Sequence, residues 1–76
     1  MNESQLNDRI TEEMAAQWGE EWTGLPADLS QAVLADLRSM WEAEGWTDVY
    51  GIVREYRHRI RNDAGSLDSY AVLLPK

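Results

Sequence analysis

Few side chains in this sequence could carry out acid–base or nucleophilic chemistry. His58 is the only histidine, and the chain contains no cysteine. Arg57 and Arg59 flank His58, and their positive charges oppose the gain of a further positive charge by a general base. No serine lies in the Gly-x-Ser-x-Gly context of a nucleophile elbow. We therefore predict no catalytic residue and a protein that is not an enzyme.

One pair of residues has a spacing known from metal sites. Glu55 and His58 form a Glu-x-x-His sequence, which helical di-iron proteins use. Such a site needs a second pair and two further glutamates, and only a homodimer could supply the second histidine. The arginines on either side of His58 would oppose a dication. We therefore predict neither a metal ligand nor another cofactor.

Charge is distributed unevenly along the chain, whose formal net charge is −7 at pH 7. Residues 1–48 contain eleven acidic residues and two arginines, giving −9. Residues 49–76 contain four arginines and one lysine against three acidic residues, giving +2. The negative total disfavours nucleic acid and anionic membranes as partners of the whole surface, and it is compatible with a basic partner.

Four basic side chains are spaced three or four residues apart and would share one side of a helix. They are Arg54, Arg57, His58 and Arg61. A helix–turn–helix protein places such a helix in a DNA groove, so a dimeric DNA-binding regulator is the alternative hypothesis. The acidic remainder would repel phosphate, and the bulky Trp41 precedes the turn where close helix packing favours a small residue. We favour pairing of these arginines with acidic residues of the protein or of a second copy.

Carboxylates and tryptophans are neighbours near the ends of two predicted helices. In a protein interface, an aromatic side chain supplies desolvated contact area, and the surrounding charges orient the partner. The predicted protein-binding residues are Glu12, Glu13, Trp18, Glu20, Glu21, Trp22, Glu42 and Glu44. The same pattern also fits an acidic face that serves only solubility, with the tryptophans in the core.

Hydrophobic periodicity predicts three helices. The first covers residues 2–22, with Asn2 or Ser4 as its cap. The second runs from Pro26 or Asp28 to about residue 44, where Gly45 ends it. The third covers residues 47–62, with Thr47 as its cap. The alternative for this segment is a β-hairpin, which fits the pattern less well than a helix because the apolar residues form one narrow helical stripe. These residues are Val49, Ile52, Val53, Tyr56 and Ile60.

The C-terminal segment has two possible conformations. Ser66 can cap a short helix that places Leu67 and Tyr70 on one face, and residues 70–74 can equally form an extended strand. The prediction is therefore a single all-α domain over residues 1–76, with three helices and a short C-terminal fourth helix or strand. The sequence has no apolar run of membrane-spanning length and no apolar N-terminal region, and together with the missing cysteines this indicates a cytoplasmic protein.

These features favour a non-enzymatic protein-binding module. In its sharper form, the module is an inhibitor that blocks a basic, nucleic-acid-binding partner, because a cluster of carboxylates imitates the phosphates that the partner binds. In size and charge the chain resembles small acidic inhibitors carried by bacteriophages and mobile elements, including anti-CRISPR proteins. That resemblance rests on size and charge alone and assigns no residue. A homodimer is a further possibility, since it would cover surplus aromatic surface.

Overall fold

The computed structural model describes residues 2–75, and every regular element within that range is an α-helix. The helices are α1 (Glu3–Trp18), α2 (Glu20–Thr23), α3 (Ala27–Ala43), α4 (Val49–Asp63) and α5 (Leu67–Ala71). The predicted all-α class is confirmed, and the C-terminal segment forms a short helix rather than a strand. Met1 and Lys76, the ends of the predicted domain, lie outside the described residues.

Helix α1 begins with a reciprocal capping arrangement. The Gln5 N–H donates to Asn2 Oδ1 at 2.9 Å, and the Asn2 N–H donates to Gln5 Oε1 at 3.2 Å. Both bonds satisfy amide groups that have no partner within the first turn of a helix. Every fourth residue of α1 then enters the core: Leu6, Ile10, Met14 and Trp18.

The prediction of one continuous helix over residues 2–22 is wrong at Gly19. This residue has φ 61° and ψ −128°, a conformation that glycine adopts far more readily than a residue with a Cβ atom. The break separates α1 from the single turn of α2 and changes the direction of the chain. Trp22 follows Trp18 by four residues and is also buried in the core.

The turn between α3 and α4 differs from the prediction by one residue. Gly45 lies just beyond the end of α3 with φ 70°, as expected of a terminating glycine. The cap of α4, however, is Asp48 rather than Thr47, because Asp48 Oδ2 accepts the Gly51 N–H at 3.0 Å. All five residues of the predicted apolar stripe of α4 are buried.

A shared polar contact ties α3, α4 and α5 together. The hydroxyl groups of Tyr56 and Tyr70 both donate to Asp36 Oδ2, at 2.9 and 3.2 Å. The two rings meet edge to face, with centroids 5.7 Å apart. Leu67 and Ala71 on α5 are buried, so this short helix closes one side of the core.

Candidate protein-binding surfaces

Two of the predicted binding residues are part of the core. Only 6% of Trp18 and 7% of Trp22 is exposed. The prediction that these rings serve as aromatic anchors for a partner is therefore wrong for the surface that the structure presents. Trp41 and Trp46 are half-buried and pack against the edge of the core.

The indole of Trp18 is covered by a cation. The Arg61 guanidinium lies over the ring, 5.0 Å from its centroid. A guanidinium in this position is attracted to the negative face of the aromatic ring. The Trp18 Nε1–H is buried and has no hydrogen-bond partner within residues 2–75, so the contact with Arg61 is through the ring.

Glu21 joins three helices instead of presenting a free charge. Arg61 Nη2 donates to Glu21 Oε1 at 2.7 Å, and the Leu67 N–H donates to Glu21 Oε2 at 3.4 Å. The hydrogen bond from Arg61 is the main reason that the pKa of Glu21 lies below its ordinary value. Burial opposes this effect, and the amide of Leu67 adds a smaller lowering effect. Glu21 therefore connects α2 to α4 and α5.

Glu44 has a similar role between α3 and α4. Arg59 donates to both carboxylate oxygens of Glu44, at 3.0 and 2.9 Å, and also contacts Glu55 at 3.3 Å. The indole N–H of Trp46 donates to Glu44 at 3.2 Å. The hydrogen bond from Arg59 is the main reason that the pKa of Glu44 is lowered. The pair clamps the end of α3 to α4.

The other four predicted acidic residues form no ion pair within residues 2–75. They are Glu12, Glu13, Glu20 and Glu42. Three of them lie along α1 and at the start of α2, and Glu42 lies in the last turn of α3. Glu12, Glu20 and Glu42 are exposed, and Glu13 is half-buried. These carboxylates are the ones that remain available to a partner.

An acidic residue of α5 lies near α2 and was not among the binding residues predicted from the sequence. Asp68, in the first turn of α5, lines a surface groove together with Glu20, Glu21, Leu25 and Pro26. The hydroxyl of Ser66 is the main cause of a lowered pKa at Asp68. No local pattern indicated this placement, because α2 and α5 are more than forty residues apart in the sequence.

The predicted basic face is only partly free. Arg54, Arg57 and His58 are exposed, and no acidic residue within 2–75 forms an ion pair with them. Arg61 is held by Glu21, by the Gly65 carbonyl at 2.9 Å and by the Trp18 ring. The preferred prediction was that these arginines pair with acidic residues of the protein or of a second copy. Arg61 pairs within the protein, whereas Arg54 and Arg57 form no ion pair within residues 2–75, and their pairing with a second copy stays a prediction.

An exposed tyrosine adjoins the free arginines. Tyr50 is 54% exposed, and its carbonyl accepts the Gln17 side-chain amide at 3.2 Å. Gln17 also donates to Glu13 at 3.2 Å, so Tyr50 and Glu13 lie on opposite sides of the seam between α1 and α4. Tyr50 could have been identified in the sequence, because it lies off the apolar stripe of its helix and one turn before Arg54.

The described part of the chain holds no group of three histidine or acidic side chains that is placed to bind a metal ion. Glu55, half of the Glu-x-x-His pair, contacts Arg59. Of the helices formed by residues 2–75, none combines the length and the apolar content needed to cross a bilayer. No protein-family model matches the chain, and comparisons with curated proteins and with solved structures find no match either.

Proposed function

We propose that this protein is a non-enzymatic binding module whose acidic side, on α1 and α2, contacts a basic protein surface. The observation that carries the proposal is the set of carboxylates at Glu12, Glu13 and Glu20, which no cation of residues 2–75 neutralises. Glu21 and Glu44, by contrast, are matched by arginines within the fold. Clustered like charges do not help the fold, whereas a basic partner would match them and orient on them.

The proposed partner is a nucleic-acid-binding protein. Its binding groove is basic because it must hold phosphates, and exposed carboxylates along α1 present negative charge in a comparable way. The module would then act as an inhibitor that competes with nucleic acid. The small size, the net charge of −7 and the absence of cysteine support a cytoplasmic inhibitor of the kind that bacteriophages and mobile elements carry, including anti-CRISPR proteins.

The burial of Trp18 and Trp22 changes how such an interface would be held together. Without these two aromatic anchors, charge contacts supply a larger share of the binding free energy. Charge contacts at an exposed surface weaken as salt increases. The expected complex therefore dissociates readily as ionic strength rises.

The test is capture of the partner from native lysate at low salt, with and without nuclease. Replacing three carboxylates by amides (Glu12→Gln, Glu13→Gln and Glu20→Gln) should weaken capture at least about tenfold, since each close charge pair contributes roughly 1 kcal/mol or more. Glu21 is left intact because it holds α2 against α4. Added DNA should displace the captured protein.

The control variant changes the net charge by the same amount, but on α3 instead of α1 and α2. Gln31→Lys, Ala35→Lys and Ser39→Lys add three positive charges at exposed positions of α3, which changes the net charge by as much as removing three carboxylates does. This variant should still capture the partner. Equal loss of capture in both triple variants would show that overall charge, and not the α1–α2 side, is responsible, and the proposal would be rejected.

DNA binding by α4 is the second candidate, because Arg54, Arg57 and His58 are exposed and unpaired within residues 2–75. The two exposed arginines that could contact phosphate give a salt slope of about −1.8, since each phosphate contributes roughly −0.9. That is small for an acidic protein that must also overcome its own repulsion. Recovery of nucleic acid that is lost on nuclease treatment would support this candidate instead.

A further inference from the structure

Exposed charges of opposite sign lie on adjacent helices. We define the acidic strip as Glu12 and Glu13 on α1, and the basic strip as Arg54 and Arg57 on α4. No ion pair within residues 2–75 involves either strip, although α1 and α4 pack against each other. The charges of one strip therefore do not satisfy those of the other in a single molecule.

Tyr50 lies where the two helices meet. Its spacing of four and seven residues from Arg54 and Arg57 places all three on one side of α4. The hydrogen bonds from Gln17 to the Tyr50 carbonyl and to Glu13 place Glu13 of the acidic strip directly across the seam, and Glu12 is the next residue of α1. An exposed aromatic ring in line with one charged strip and next to the seam with the other has the composition of a small protein interface, with an aromatic residue among charged ones.

We propose that two copies of this chain form a two-fold symmetric dimer through this surface. The basic strip of each copy contacts the acidic strip of the other, and the two Tyr50 rings lie near the symmetry axis. A two-fold axis brings residue i against residue j and residue j against residue i, so both charge contacts form at once. The arrangement closes with two copies and does not continue into a filament.

The dimer is expected to be weak and reversible. Each copy carries a net charge of −7, so the two repel at a distance. At physiological salt this repulsion is screened beyond about 8 Å, whereas contacts between the strips are much closer than that. A specific interface of about 1,000 Å² in total requires about 500 Å² per copy, out of an accessible surface of 4638 Å².

This inference does not rest on the proposed function, but it bears on it. The acidic strip contains two of the carboxylates that we propose for partner binding. A dimer would therefore cover part of that surface, and the monomer would be the form that binds the partner.

The experiment is sedimentation of the purified protein from low concentration to about 500 µM, a range that detects micromolar to millimolar dissociation constants. The native chain should show a concentration-dependent dimer. Arg54→Glu with Arg57→Glu should abolish it, because both contacts then bring acid against acid. Glu12→Arg with Glu13→Arg should abolish it too, because both contacts then bring base against base.

An equimolar mixture of the two double variants is the decisive sample. In the mixed dimer, each contact again joins an acidic strip to a basic strip, so association should return although neither variant associates alone. A single chain with all four changes should also dimerise. Circular dichroism of each variant should confirm that the helices are retained.

A native chain that remains monomeric throughout the concentration range would overturn the proposal. So would a dimer that survives both double reversals, or a mixture that fails to associate. Partner capture gives a separate readout, since Arg54→Glu with Arg57→Glu leaves the acidic strip intact. That variant should capture the partner at least as well as the native chain, so failure of the dimer and failure of the proposed function can be distinguished.

Discussion

Asp36 accepts two tyrosine hydroxyl groups with a single carboxylate oxygen, and this contact is the main polar link between α3, α4 and α5. Tyr56 is almost fully buried, so its hydroxyl needs a partner inside the protein. Burial, followed by the nearby Asp36 carboxylate, strongly raises the pKa of Tyr56. The same two causes raise the pKa of Tyr70. Both phenols are thus held in their neutral form.

The raised pKa of Tyr56 predicts that the protein loses stability in alkali. The neutral phenol is favoured in the folded state, so the stabilisation is complete below the ordinary value of 10.0 and is lost as pH rises above it. One such group changes the free energy of unfolding by up to about 1.4 kcal/mol per pH unit. Urea unfolding at several pH values above about 10 should show this slope.

Tyr56→Phe provides the control for that measurement. The variant lacks the hydroxyl bond at every pH, so its unfolding free energy is lower at neutral pH, but its decline above the tyrosine pKa should be shallower. Tyr70 retains its own contribution. An identical alkaline slope in the native chain and the variant would mean that Tyr56 is not the group responsible.

The helix ends decide how the elements connect. Gly19 divides the first predicted helix, and Asp48 begins α4 through a side-chain bond to the Gly51 amide. Gly51 lacks a Cβ atom, and a Cβ at that position would lie 2.9 Å from Asp48 Oδ2. The cap and the small residue three positions later therefore fit each other.

The assignment of Asp48 as the cap of α4 leads to a prediction about stability. Asp48→Ala should destabilise the protein by about 1 kcal/mol, since it leaves an amide of the first turn without its partner. Thr47→Ala should change stability by less than about 0.5 kcal/mol, because Thr47 is exposed and does not cap the helix. Urea unfolding followed by far-UV circular dichroism compares the two variants directly. A larger effect of Thr47→Ala would contradict the assigned cap.

Over the whole molecule, the arginines divide into those used by the fold and those left at the surface. Arg59 and Arg61 are held by Glu44 and Glu21, whereas Arg54 and Arg57 have no ion pair within residues 2–75. The surface is therefore not uniformly acidic around α4. This division supports separate roles for the two groups, with the first in stability and the second in association.

The matched pairs predict a loss of stability in acid. The pKa values of Glu21 and Glu44 are lowered in the folded state, so their stabilisation is present above the ordinary value of 4.5 and is lost as pH falls through the lowered values. Glu21→Gln should lower the free energy of unfolding by about 0.5 kcal/mol at pH 7, because the pair is largely exposed and screened. Near pH 2 the difference between the variant and the native chain should be smaller than at pH 7, since protonation of the carboxylate removes the ion pair.

Glu12→Gln is the matched control, because Glu12 is exposed and forms no ion pair within residues 2–75. It should leave the melting temperature at pH 7 unchanged or slightly higher, as it removes a charge from an acidic surface. Thermal unfolding of the three proteins at both pH values tests the comparison. Equal effects of the two substitutions would show that the Glu21–Arg61 pair does not stabilise the fold.

The sequence alone determined the three long helices, because each depends on contacts between residues three or four apart. The apolar spacing of α4 specified its buried side, and Asn2 and Gln5 specified the start of α1. The break at Gly19 and the shift of the cap to Asp48 were not predicted, because several residues near a helix end can satisfy the same backbone groups.

Only the tertiary structure decided which charges and aromatic rings remain at the surface. Glu21 and Arg61 are separated by forty residues, and they meet because α2 packs against α5, which itself packs against α4. Trp18 and Trp22 are also buried in the folded protein. Their acidic neighbours in the sequence do not indicate whether the rings face the core or solvent. Helical periodicity is a local property, whereas the neutralisation of a charge depends on which helices pack together, and no short-range pattern carries that information.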